Sequence, residues 1–272
     1  MTSTIRITAL YSYPVKSCRG TRMDTAELSP LGVEGDRELV VLQDEKFINQ
    51  VRLPSLATVV PRRLDANTIE FSNAAGNAHE HRIAEGGAET TIDLHGSEAV
   101  TVDQGDELAD FVSAAVGTEV RIASLKQAFR RIAPIEEFAL VDGTDQSRFV
   151  DVAPILVTNE ASLADLNSRL DVAVPMNRFR PNLVIDGIDA FAEDEVNALE
   201  GDGWRLLRAT HCERCAIVST DQETGERSKE PLATLAAYRR REDGYAGGVM
   251  FGAYMAVEGR ATLRVGDTLT VS

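Results

Sequence analysis

Apolar residues in this chain come in short runs, and turn-forming residues interrupt them every few positions. Residues 5–11 (IRITALY) alternate in polarity and then meet Pro14. Residues 38–43 (ELVVLQ) make a short continuous apolar run of the kind that becomes a buried strand. Residues 69–72 (IEFS), 91–94 (TIDL) and 99–103 (AVTVD) are further strand candidates, and 261–271 (ATLRVGDTLTV) reads as two strands around Gly266 and Asp267. Strands this short must stack or close their sheets on themselves to bury an apolar face. Three segments carry the helical period instead. Over 107–116, Leu108, Phe111, Val112 and Ala115 share one face, and Gly117 supplies a stop. Over 160–170, Leu163, Leu166 and Leu170 share a face behind Asn159 as N-cap. Residues 231–240 form a third helix with Pro231 in its first turn. Many strands and few helices predict a barrel-rich α+β fold. Residues 73–90 read as an exposed loop or ragged hairpin, and 124–148 as the link between an N-terminal and a C-terminal subdomain.

A chain of 272 residues can bury a core without a metal or disulfide staple. Its 28 Lys and Arg against 43 Asp and Glu give a net charge of −15, which argues against a broad nucleic-acid surface and leaves room only for a local anion pocket. No apolar run is long enough to span a membrane, so no membrane partner is expected. The first residues, MTSTIRITAL, lack a secretory apolar core, and a cytoplasmic location is expected. Three cysteines, Cys18, Cys212 and Cys215, do not make a disulfide framework.

Four segments could carry chemistry. Tyr13-Pro14-Val15-Lys16-Ser17-Cys18-Arg19-Gly20 packs two cations, a hydroxyl and a glycine behind a strand, which suits either an anion site or a solvated turn. It is not a nucleotide phosphate loop, because GxxxxGK[ST] is absent. Gly35-Asp36-Arg37 precedes ELVVLQ, so Arg37 is either a structural ion pair with Asp36 or an anion clamp. In Asn177-Arg178-Phe179-Arg180-Pro181-Asn182, an extended chain would put Arg178 and Arg180 on one side, with Pro181 favouring extension at Arg180. His211-Cys212-Glu213-Arg214-Cys215 holds a CxxC pair. Zinc lacks further ligands, and a thioredoxin-like site would need a helix where the β-prone AIVSTD follows. A thiolate ligand to a metal or cofactor and two buried structural thiols both remain open. His79 and His81 lie in the loop-like segment and His95 stands alone between strand candidates, so none is a strong ligand candidate.

Together, and in order, YPVKSCRG, GDRELVV, NRFRPNLVIDG, DAFAED, CERCAIVSTDQETGE, KEPLATLAAYR and FGAYMAV resemble the MOSC superfamily with its N-terminal MOSC subdomain, in particular the amidoxime-reducing components. The resemblance covers nearly the whole chain. It implies a β-barrel-rich MOSC fold, with a smaller N-terminal β-rich subdomain over 1–125 and the MOSC domain over 126–272. It implies a molybdenum cofactor, Mo-molybdopterin, in the cleft between them. Cys215 matches the molybdenum-ligating cysteine, and Cys212 a non-ligating neighbour. Lys16, Ser17, Arg37 and Arg180 match residues around the pterin phosphate, Asn182 and Tyr254 match residues lining the pocket, and Arg214 stands beside the ligand. Asp151 matches an aspartate near the metal and is expected to handle protons. The implied activity is reduction of amidoximes, hydroxylamines or N-hydroxylated bases by two-electron oxygen-atom removal at molybdenum. Three cysteines cannot supply an iron–sulfur cluster as well. Electrons are therefore expected from a separate protein, a ferredoxin or flavin reductase or a cytochrome b5-like partner. A cofactor carrier or a sulfur-carrier module would use the same residues.

Overall fold

The computed structural model describes residues 4–94, 96–130, 146–242 and 248–272. Its largest sheet is a ring. Strands Leu183–Asp186, Ile155–Asn159, Val249–Glu258, Trp204–Arg214, Ala198–Gly201, Thr268–Val271 and Thr4–Ser12 are hydrogen-bonded in that order, and Thr4–Ser12 pairs back onto Leu183–Asp186. The result is a closed seven-stranded barrel, with Thr21–Met23 as a short flap on Thr4–Ser12. Closure removes the unpaired edges that an open sheet would expose. Within this ring only Ile155–Asn159 and Leu183–Asp186 pair in parallel, and such a pair needs a crossover connection, here carrying the helix Glu160–Asn167. The alternation over 5–11 is realised as a barrel wall. Ile5, Ile7 and Leu10 point into a core with Val157, Leu183, Leu206, Met255 and Leu269. A register shift between Ile7 and Ala9 turns Ala9 to the outer cluster around Phe179 and Phe251.

The N-terminal half builds a five-stranded antiparallel sheet, Glu89–Leu94, Ser97–Asp103, Arg121–Leu125, Leu39–Gln43 and Lys46–Phe47. A three-stranded sheet, Val60–Arg63, Thr68–Ser72 and Ala78–Arg82, packs nearby. The run ELVVLQ is apolar on both faces because both are covered. Leu39 and Val41 pack with Ile69, Phe71, Leu108 and Val112, while Val40 and Leu42 face Ile92, Leu94 and Phe149. Residues 73–90 supply only the turn and second strand of a hairpin, Ala78–Arg82 paired to Thr68–Ser72, before Glu89–Leu94 enters the five-stranded sheet.

Helix Asp106–Val116 ends at Gly117, which is left-handed at φ +77° and donates its N–H to Ser113 O at 2.9 Å. Glu160–Asn167 begins as expected, with Asn159 Oδ1 accepting from Ala161 N at 3.1 Å. It stops three residues before Leu170, because the Asn167 side chain turns to bond both the N–H and the C=O of Val174. The third helix is Leu232–Tyr238. The pair read over 261–271 is two strands in two different sheets. Ala261–Arg264 pairs with Thr25–Ser29, and Thr268–Val271 enters the barrel. His95 and residues 131–145 of the expected link lie outside the described residues. Among the described residues no helix is long and apolar enough to cross a membrane.

Candidate functional site

A cavity of about 550 Å³ opens between the barrel and the N-terminal half. Lys16, Ser17, Arg37, Asp151, Arg180, Asn182, Arg214, Cys215 and Tyr254 all line it. They arrive from separate elements. The chain leaving Thr4–Ser12 runs beside the start of Leu39–Gln43: Arg37 N donates to Tyr13 O at 2.7 Å, and Lys16 N donates to Leu39 O at 2.7 Å. The YPVKSCRG and GDREL segments thus meet at one corner. Arg180 and Asn182 reach the same corner just before the strand Leu183–Asp186.

The local backbone is strained there. Ser17, Arg37 and Arg180 have φ of +69°, +51° and +56°, so three of the six left-handed non-glycine residues described line this cavity. Such conformations persist only where the surroundings over-determine them, and they cluster at functional sites. Arg180 corrects an expectation. Residues 176–179 are not extended but form a short 3-10 turn, and Arg180 caps it left-handed despite the bias from Pro181. Arg178 and Arg180 consequently part company. Arg178 Nη2 bonds Asp221 at 2.7 Å, whereas Arg180 Nη1 donates to Cys18 O at 2.7 Å and its guanidinium lies over the Tyr13 ring. These tertiary contacts outweigh the local preference.

The cations are held under tension. Lys16 is buried, donates to Phe149 O at 2.9 Å and forms an ion pair with Asp151, whose side chain is 52% exposed. Arg37 pairs with Asp36 and also reaches Asn182 Oδ1 at 3.2 Å, so the structural ion pair and the pocket position are both realised. Burial works against the Arg37 charge, but Asp36, Tyr13 and Asp151 outweigh it and raise its pKa. Burial lowers the pKa of Arg180, Tyr13 opposes that, and Arg37 adds to it. Among the described residues no carboxylate forms an ion pair with Arg180. Asn182 is a strut: Oδ1 also accepts from Leu156 N at 3.3 Å, and Nδ2 donates to Tyr11 O at 3.4 Å.

The two cysteines of CxxC differ. Cys212 is fully buried at the end of Trp204–Arg214 and accepts a bond from Arg214 Nη1 at 2.7 Å. Burial pushes its thiol pKa up, against the pull of Arg214. Cys215 is exposed to the cavity, so the pair is not two buried structural thiols. The β-prone AIVSTD after it does not form a strand either. Residues Ala216–Ser219 make a 3-10 turn, with Val218 N bonded to Cys215 O at 3.3 Å, because Val218 packs into the cluster around Leu235 and Phe251. The third thiol, Cys18, is buried, which pushes its pKa up to about 12. Arg214 Nη2 donates to Phe179 O at 2.6 Å, while its buried Nε has no protein partner. Burial raises the Tyr254 hydroxyl pKa far above the ordinary value, and the neighbouring Cys212 adds to it. Among the described residues no group of three or more His, Cys, Asp and Glu side chains could hold a metal ion.

Several wall residues carry no signal in the sequence. Phe47, Asn49, Val51 and Arg52 close the N-terminal side. Thr210 is another, and it reaches the cavity from Trp204–Arg214 together with His211 and Glu213 of the CxxC segment, where register shifts at 208–210 and 211–213 re-aim the side chains. Burial lowers the His211 pKa, and its Nε2 lies 3.1 Å from Arg241 Nη1.

Residues 144–270 match the model of the MOSC domain, and residues 4–119 match that of the MOSC N-terminal beta barrel domain. Human mitochondrial amidoxime-reducing component 1 is 32% identical over 96% of this chain and 81% of its own length. The chain belongs to the MOSC family. Mitochondrial amidoxime reducing component 2 of Bos taurus is 30% identical, with 96% and 81% of the two chains covered. The molybdenum cofactor sulfurase of Oryza sativa subsp. japonica is 30% identical over 94% of this MOSC chain but only 33% of its own length. The two matched regions meet at the cavity. The N-terminal one contributes Lys16, Ser17 and Arg37, and the MOSC domain contributes Asp151, Arg180, Asn182, Arg214, Cys215 and Tyr254.

Proposed function

We propose that this chain is a molybdenum-cofactor-dependent reductase of N-hydroxylated compounds such as amidoximes, hydroxylamines and N-hydroxylated bases. The observation that carries this is the joint placement, on one cavity, of the exposed thiol Cys215, the buried cations Lys16 and Arg180, and the partly buried Arg37. A protein with a net charge of −15 gathers such cations in its interior only against a desolvation cost, which a bound anion would offset. The donor chemistry fits a cofactor that carries both a phosphate and a soft metal site.

In this assignment Cys215 Sγ is the metal ligand. Lys16, Ser17, Arg37 and Arg180 take the pterin phosphate, and the buried, unpartnered Nε of Arg214 is a donor toward the cofactor. The cofactor supplies the two-electron oxygen-atom removal when bound. The chain supplies orientation, a wall that limits water, and protons. Leu156, Phe179, Ile217 and Met250 form apolar parts of that wall. Asp151, ion-paired through Oδ1 with Lys16 Nζ and half-exposed to the cavity, is the group that passes protons. Electrons come from a separate protein, a ferredoxin or flavin reductase or a cytochrome b5-like partner, and the cytoplasm is the proposed location.

The test is metal analysis with oxidised-pterin fluorescence on wild type and Cys215→Ala, both made in a host that synthesises the cofactor. About one molybdenum per chain is expected in the wild type, with metal lost and pterin kept in the variant. Amidoxime reduction with a chemical electron donor follows. A wild type that holds neither metal nor pterin, and does not bind added cofactor, is not a molybdoenzyme. The exposure of Cys215 and the similarity to the sulfurase favour one second reading, a sulfur carrier. It predicts a persulfide label on Cys215 and no turnover. Cofactor without label or turnover would mark a carrier.

A further inference from the structure

We propose that Tyr13 is the positioning residue that joins Arg37 and Arg180 into a single anion clamp, presenting one buried ring to both guanidinium groups. The inference rests on the cofactor reading above. The guanidinium carbons of Arg37 and Arg180 lie over the Tyr13 ring, 4.6 and 4.4 Å from its centroid. The residue itself is 1% exposed. It is anchored to both arginine-bearing segments. Its N–H donates to Asp36 Oδ1 at 2.7 Å, its C=O accepts from Arg37 N at 2.7 Å, and its hydroxyl donates to Pro181 O at 3.0 Å, next to Arg180.

Two cations sharing one ring repel each other, and whereas Asp36 pairs with the partly buried Arg37, something else must hold the buried Arg180 beside it. A carboxylate between them would do so, but it would cancel charge and occupy N–H donors that a phosphate needs. An aromatic face attracts a cation through its quadrupole and leaves the in-plane donors unused. Arg180 shows the result. It has no carboxylate partner among the described residues, and its Nη1 contacts are neutral oxygens, Cys18 O at 2.7 Å and Gln222 Oε1 at 3.4 Å. The left-handed backbone at Arg37 and Arg180 also needs external support, and Tyr13 contacts both residues.

The clamp is tested on the full chain with Tyr13→Phe, Tyr13→Leu and a series of progressively fluorinated phenylalanines at position 13. Fluorine withdraws electron density from the ring face while nearly preserving its shape. The readouts are affinity of the cofactor-free chain for inorganic phosphate, pterin retained per chain by the loaded protein, and melting temperature. Phosphate affinity is expected within about threefold of wild type in Tyr13→Phe and about tenfold weaker in Tyr13→Leu. It should fall stepwise along the fluorine series with little change in melting temperature, and pterin retention should follow the same order. A residue that only fills space would give no fluorine trend. A wild type that binds phosphate and pterin, with a flat fluorine series, overturns the role of Tyr13 alone. A wild type that binds neither overturns the cofactor reading and the clamp with it.

Discussion

Gly20→Ala should destabilise this protein, although backbone propensity predicts the reverse. Gly20 is not in the left-handed region, so alanine suits its backbone and would ordinarily stabilise by about 0.4–1 kcal/mol through the unfolded chain. A methyl group at Gly20 would, however, lie 2.2 Å from Tyr13 Cε1, 2.6 Å from Cδ1 and 2.7 Å from Cζ. The ring has nowhere to go without giving up its bonds. Moving it costs the hydroxyl bond to Pro181 O, about 1 kcal/mol, and two guanidinium contacts at about 1 kcal/mol each. The total of about 3 kcal/mol lies at the upper end of the usual overpacking cost. Less the backbone gain of about 0.4–1 kcal/mol, the net loss is about 2–2.6 kcal/mol, and at about 2–4 °C per kcal/mol for a chain of this size the melting temperature should fall by about 4–10 °C. Differential scanning calorimetry measures it. Gly86→Ala is the control: nothing lies within 4 Å of its added methyl group, and its melting temperature should stay level or rise. In a Tyr13→Ala background, Gly20→Ala should cost less than about 0.5 kcal/mol, because the ring it strikes is gone. A Gly20→Ala chain as stable as wild type would refute the idea that the ring is locked.

Two other outcomes are expected. Burial raises the Glu193 pKa above its ordinary value, against bonds from Ser162 Oγ at 2.7 Å and Asn159 Nδ2 at 3.3 Å, and Oε1 is buried without a partner. A raised folded-state pKa means the folded protein binds the proton more tightly, so this stabilisation is full in acid and is lost as pH rises from about 4.5 through the folded value. Glu193→Gln should therefore gain melting temperature relative to wild type as pH rises across that window, and a difference that stays constant with pH would count against the assignment. Arg180→Lys keeps a charge but not the planar fork that serves Cys18 O, the Tyr13 ring and an anion together, so pterin retained per chain should fall by about tenfold; equal retention would show that charge alone suffices.

Those parts of the site with a local signature are legible in the amino-acid sequence. Lys16, Ser17, Arg37, Arg180, Asn182 and Cys215 sit in compact motifs whose order resembles a family, and all of them line one cavity. Asn159 and Gly117 act at their helix ends as their side-chain chemistry predicts. What stays hidden depends on distant partners. Trp204–Arg214 is a barrel strand whose alternation is broken by two register shifts, so nothing in its polarity pattern marks it as one. The separation of Arg178 from Arg180 depends on Asp221 and Cys18, far away in the chain. Ala261–Arg264 and Thr268–Val271 are the two strands read there, but nothing local shows that they enter different sheets, because that depends on distant partners, Thr25–Ser29 for the first and Ala198–Gly201 with Thr4–Ser12 for the second. The ring contact of Tyr13 with two arginines has no local pattern at all.

The closure of the ring by Thr4–Ser12 sets an order of events during synthesis. This strand leaves the ribosome before either of its barrel neighbours, and the later one, Thr268–Val271, follows only after residues 13–267 have been made. At about 5–20 residues per second that is a wait of roughly tens of seconds, during which Ile5, Ile7 and Leu10 have no barrel to enter. Pairings so distant in sequence also form slowly. The ring that includes Trp204–Arg214, the strand leading to Cys215, is closed only once Thr268–Val271 has docked. A ligand that arrives after that step meets a cavity whose barrel wall is already a closed ring, and one that arrives earlier meets an open sheet.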